Sequence, residues 1–141
     1  MKKKTLFMGT TKIDPHKTEG EIRAALVASG ARQIATDYGS GGTISALRFI
    51  IPVQGQELAF ALPVRSAALV HHLRGDKAQA ERTAWRQLLR WVEAQFAMID
   101  CGMVKAEEVY APYMLQGNGQ TLYECLATTQ FKAIEAPKGT R

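Results

Sequence analysis

Residues 43–62 read TISALRFIIPVQGQELAFAL, and this stretch decides the fold. Thr43, Ile44, Phe49, Ile50 and Ile51 are β-branched or aromatic residues that suit a half-buried pleated strand. Pro52 has no N–H to give to a ladder, so it is expected to end that strand. Gln54-Gly55-Gln56 forms the next turn. Glu57 to Leu62 then alternates large and small apolar residues, with Leu58, Phe60 and Leu62 expected to face a core. Just upstream, Gly39-Ser40-Gly41-Gly42 reads as a turn and residues 31–38 as a short strand. Sequential strands joined by short turns predict a three-stranded antiparallel meander.

The helices lie on either side. Thr18 with Glu21 fits a capping box, and Ile22, Ala25, Leu26 and Ser29 repeat at helical spacing up to Gly30. This predicts a helix over about 19–29. Beyond Pro63, residues 66–74 form a short helix or turn. From Lys77 to Asp100 there is neither Pro nor Gly. Ala84, Leu88, Trp91, Val92, Gln95 and Ile99 make one stripe, flanked by Trp85, Leu89, Phe96 and Met98, as a helix buried against a sheet requires. Lys105 to Tyr110 is a further short helix. Thr121 with Glu124 forms a second capping box, opening a helix to about Ala127.

The fold class is therefore α+β: a three-stranded antiparallel sheet packed against one long helix plus shorter helices. A length of 141 residues suits one domain. Hydrophobic residues at 46% and charged residues at 22% match a folded globular chain and exclude a disordered one. The net charge is +5. Residues 1–17 hold five lysines against Asp14 alone, a net +4, which leaves +1 for the other 124 residues. The expected organisation is a basic N-terminal arm, 1–17, followed by a single domain, 18–141. Lys2, Lys3 and Lys4 resemble the front of a signal peptide, but Gly9 cuts off the apolar run after Leu6-Phe7-Met8. No stretch approaches the roughly 20 apolar residues of a membrane span. A soluble protein of the (host) cytoplasm, making no membrane contact, is expected.

Few residues point to catalysis. The Gly39–Gly42 loop could hold a phosphate on its amides, but it lacks the Lys and Ser/Thr of a P-loop and leads into a strand. His71 and His72 are adjacent and diverge by about 100° on a helix, and His16 lies in the arm, so no metal site is expected. Cys101 and Cys125 are isolated and read as structural thiols. Cys101 closes a helix, where the dipole disfavours a thiolate. No GxSxG is present, and no spacing pairs the carboxylates Asp37, Glu57, Glu81, Glu93 and Asp100. A non-enzymatic role without a cofactor is expected.

Two binding readings remain. Arg82, Arg86 and Arg90, spaced i, i+4, i+8, share a helix face and could follow a phosphate backbone. Arg32, Arg48 and Arg65 could add to the row, Lys2, Lys3, Lys4 and Lys12 of the arm could hold further phosphates, and Trp85 could stack on a base. Alternatively, Tyr110, Tyr113 and Tyr123, with Pro112, could form a protein-binding patch or cap the end of the core.

Several stretches resemble a family of small, largely uncharacterised proteins of tailed phages and prophages. They are Thr10-Thr11-Lys12-Ile13-Asp14-Pro15 with Thr18 and Glu21-Ile22; Gly30-Ala31; Phe60-Ala61-Leu62-Pro63; and Ala111-Pro112-Tyr113 with Thr121-Leu122-Tyr123. The most specific is Ala84-Trp85-Arg86 through Trp91-Val92-Glu93-Ala94-Gln95. The resemblance brings no catalytic residues. It implies a phage or prophage setting, in which small accessory proteins act on DNA metabolism or on host and defence proteins. The function expected is a non-enzymatic phage accessory protein that binds nucleic acid, single strands above all. The alternative is a module that inhibits or modulates a host or defence protein. The chain could also form a homo-oligomer.

Overall fold

A computed structural model describes residues 5–139. Helix α1 (Pro15–Ala28) leads to strands β1 (Gln33–Tyr38), β2 (Ile44–Val53) and β3 (Gln56–Pro63). Helix α2 (Ala67–Val70) continues into a 3-10 turn at His71–Leu73, before the long helix α3 (Lys77–Asp100). Short helices α4 (Ala106–Val109) and α5 (Leu122–Thr128) follow. The strands form one antiparallel sheet in the order β1-β2-β3. The α+β class and the meander expected from residues 31–62 are both present.

Pro52 does not end its strand. It stays within β2, opposite Glu57, and the strand runs on to Val53. Gln54 (φ 50°) and Gly55 (φ 80°) both take the left-handed conformation, forming a two-residue hairpin turn between Val53 and Gln56. Val53 and Gln56 close this hairpin as a hydrogen-bonded pair, so the next pair, Pro52 and Glu57, exchanges no ladder bonds. The ring nitrogen of Pro52 thus faces the β1 side. The β1 ladder begins only at Gln33, opposite Ile50, and no ladder bond is lost there.

The first helix also starts elsewhere. Asp14 is its N-cap, accepting from the His16 N–H at 2.8 Å, and Pro15 occupies the first turn. Thr18 is a buried residue inside the helix and not its cap. Pro15, His16 and Lys17, assigned from sequence to the arm, therefore belong to α1. The second capping box is as expected. The Thr121 hydroxyl accepts from the Glu124 N–H at 3.2 Å, and the Glu124 carboxylate accepts from the Thr121 N–H at 2.9 Å.

Helices α1 and α3 pack side by side and cover one face of the sheet. Leu47, Phe49 and Ile51 of β2 and Phe60 and Leu62 of β3 point into the layer between. They meet Ile22 and Leu26 from α1 and Trp85, Leu89 and Val92 from α3. The centre of the α3 stripe is thus Trp85–Leu89–Val92, and Ala84, Leu88, Trp91 and Ile99 lie partly buried on its flank. That shifts the expected stripe by about one position. The phase follows from α3 having two neighbours, α1 on one side and the sheet on the other.

Candidate interaction surface

The three arginines of α3 do not form an open row. Arg86 is 5% exposed, and its Nη1 donates to Glu21 Oε1 at 3.1 Å and to Thr18 Oγ1 at 3.4 Å. It joins α3 to α1, and a phosphate cannot reach it without parting the helices. Arg82 is half-buried and donates from Nη2 to Gln79 Oε1 at 2.6 Å. Arg90 is exposed beside Glu93, its Nη1 2.6 Å from Oε1. An exposed i, i+3 pair of this kind is worth only about 0–0.5 kcal/mol, so Arg90 is the one member of the row open to an anion. Of the arginines expected to extend the row, Arg48 is ion-paired with Asp37 at 2.8 Å. The base-stacking role expected of Trp85 is corrected outright: the ring is 0% exposed, at the centre of the core.

Lys2, Lys3 and Lys4 lie outside the described residues. Lys12 is exposed. The segment before it lies along α3. Gln79 Nε2 donates to the carbonyls of Gly9 (3.0 Å) and Thr11 (2.9 Å), and Gln87 Nε2 donates to the carbonyl of Phe7 (2.8 Å). Two glutamines two turns apart thus hold residues 7–11 as a strap.

The tyrosines divide. Tyr110 is 0% exposed and sits among Phe49, Phe60 and Trp91, with ring centroids 5.2, 6.2 and 5.7 Å away. Burial pushes its hydroxyl up to about 12, against a weaker opposite pull from Ser29. It belongs to the core, and an anchoring role for it is a correction. Tyr113 is half-buried, edge-on to Trp91 at 6.1 Å. Tyr123 is 47% exposed and packs at 6.1 Å against Phe131, itself 44% exposed.

Two hollows flank Tyr113. One, of about 350 Å³, lies between the end of β3, α2 and α3. Its floor is Leu62, Leu69, Ala84, Leu88 and Trp91. The other, of about 150 Å³, lies on the opposite side of the sheet edge, between Ala46, Ala61, Thr121, Tyr123 and Glu124. Pro63, Arg65 and Tyr113 line both, forming the ridge between them. Arg65 is exposed, and its side chain makes no ion pair or hydrogen bond among the described residues. The Thr121 backbone N–H, with the Thr121 hydroxyl, holds the Glu124 carboxyl below the usual glutamate value, and Arg65 adds a smaller pull.

No protein-family model, curated protein or solved structure matches the chain.

Tyr113 and Tyr123, expected from the sequence as a patch, both line the smaller hollow, whereas Phe131 was not expected beside Tyr123 and Arg65 lines both hollows with Tyr113. Arg65 follows the Pro63 that closes β3, which was the available signal for a residue at the sheet edge. Phe131 has positive φ (60°) in a polar C-terminal stretch, and nothing local pairs it with Tyr123. Among the described residues, no three His, Cys, Asp or Glu side chains are arranged to hold a metal ion, and no helix is long and apolar enough to cross a membrane.

Proposed function

We propose that this chain is a non-enzymatic protein-binding module whose contact surface centres on Tyr123, Phe131, Tyr113 and Arg65. The observation that carries this reading is the exposed Tyr123–Phe131 pair beside the ridge of Arg65 and Tyr113. Large aromatic side chains left in contact with water, next to hollows and an arginine, have the composition of an interface hot spot. The setting implied by the sequence resemblance is a phage or prophage product acting on a host or defence protein. The test is capture from a bacterial host lysate at high salt after nuclease treatment, comparing the native chain with Tyr123→Ser/Phe131→Ser. Both residues are exposed, so the double variant should keep its melting temperature. The expected result is a partner retained by the native chain and lost from the variant. Identical capture by both overturns the reading.

The nucleic-acid reading keeps a narrower footing in exposed Lys12, Lys17 and Arg90. A labelled single-stranded oligonucleotide retarded by micromolar protein at about 50 mM salt, and released as salt rises, would favour it over the protein-binding reading.

A further inference from the structure

We infer that the groove between α2, α3 and the end of β3 receives an amphipathic, acidic peptide segment of a partner, whose carboxylate meets Arg65. This rests on the protein-binding reading and names the chemistry of the partner. The groove offers a floor of Leu62, Leu69, Leu88 and Trp91, with about 350 Å³ of space. That is room for a few apolar side chains and falls within the range of ligand sites. Ala68 and Ala84 are small, which keeps its walls apart. Apolar residues along one face of a helical or extended segment are what such a groove recognises.

Charge selects among occupants. Arg65 is the one charged residue lining the groove, it stands at the rim, and no carboxylate of the described chain lies in ion-pair range of it. Glu124, the acidic residue of the adjoining hollow, is oriented by its bonds to Thr121 and attracts Arg65 only from beyond ion-pair distance. The rim therefore presents a guanidinium with no carboxylate of the described residues in contact with it, beside apolar surface, and a carboxylate flanking an apolar anchor is its complement. The chain's own Met1-Lys2-Lys3-Lys4 carries only cations and is the wrong occupant by sign.

The test uses the full chain and two dye-labelled synthetic peptides of about twelve residues, with leucines at helical spacing and either glutamates or lysines between them. Fluorescence anisotropy at about 0.15 M salt should show saturable binding of the acidic peptide, at least about tenfold tighter than the basic one. Arg65→Glu should reverse that order. Ala68→Trp, at an exposed position, should fill the groove and weaken the acidic peptide about tenfold or more. Neither peptide binding, equal binding of both, or an order unchanged by Arg65→Glu overturns the inference. Self-association of the chain that Arg65→Glu abolishes would assign the groove to a second copy, and also overturns it. If the peptides fail while capture still depends on Tyr123 and Phe131, the groove assignment falls and the protein-binding reading stands. If the peptides bind as described but Tyr123→Ser/Phe131→Ser captures as the native chain does, the aromatic pair is not the anchor.

Discussion

At the residue scale, Arg86 shows how little a helical spacing says about what a side chain meets. The i, i+4, i+8 pattern places Arg82, Arg86 and Arg90 on one side of α3, and that much is so. It does not say that α1 lies over the middle of the row. Arg86 is consequently a structural cation, bonded to Glu21 and Thr18. Arg86→Ala is expected to cost about 2 kcal/mol in urea unfolding, because Thr18 is left buried without its donor and half-exposed Glu21 loses its partner. A loss below about 0.5 kcal/mol would contradict this account. Tyr110 gives a second prediction. Its folded-state value, about 12, lies above the ordinary 10.0, so between these values the folded chain holds the proton that the unfolded chain releases. Stability should fall as pH rises from 10 towards 12, by up to about 1.4 kcal/mol per pH unit. Tyr110→Phe should remove that part of the decline while changing stability little at pH 7, since the hydroxyl makes no hydrogen bond of ordinary geometry and feels only the weak pull of Ser29. Unfolding curves of both chains across this pH range would check it.

At the scale of elements, the helix starts and strand ends were legible only where one signal stood alone. Thr121 and Glu124 offered a single capping box, and the helix began there. Near residue 18 the expected Thr18-Glu21 start is displaced by Asp14-Pro15, a cap that falls within the expected arm, and Thr18 lies buried in the seam with α3. Asp14→Ala should therefore cost about 1 kcal/mol through the lost cap, measurable by thermal unfolding. Pro52 failed as a stop signal for a reason invisible locally: it sits beyond the reach of β1, whose first residue, Gln33, pairs with Ile50. The strap is the other feature that sequence concealed. Nothing in residues 5–14 announces a contact with glutamines some 70 positions later. Gln79→Ala should loosen it, and trypsin should then cleave after Lys12 several-fold faster while the rest of the chain resists. Unchanged cleavage would mean that Gln87 alone holds the segment.

At the scale of the whole molecule, the architecture was readable because the β-branched and aromatic residues of 43–51, the alternation in 57–62 and the unbroken run 77–100 set its two layers. The proposed interaction surface was not, because Arg65, Tyr113, Tyr123 and Phe131 are far apart in sequence and share no period. One core links both helices and all three strands, so the far-ultraviolet circular dichroism and the tryptophan fluorescence, with Trp85 at the centre, should report one coincident urea transition. Separate transitions would show that the sheet and the helices unfold independently.

The strap and α1 also bear on how the chain reaches this state during synthesis. Both find their partners on α3, whose residues are translated some 70 positions after them. Residues 5–28 therefore leave the ribosome before α3 exists, and the sheet meander, with its nearest-neighbour pairing, gives Ile22 and Leu26 a first surface that α3 later completes. In vectorial synthesis the strap and the α3-facing side of α1 are thus among the last contacts to form, and until then the sheet alone covers Ile22 and Leu26, which leaves part of their surface open to chaperones.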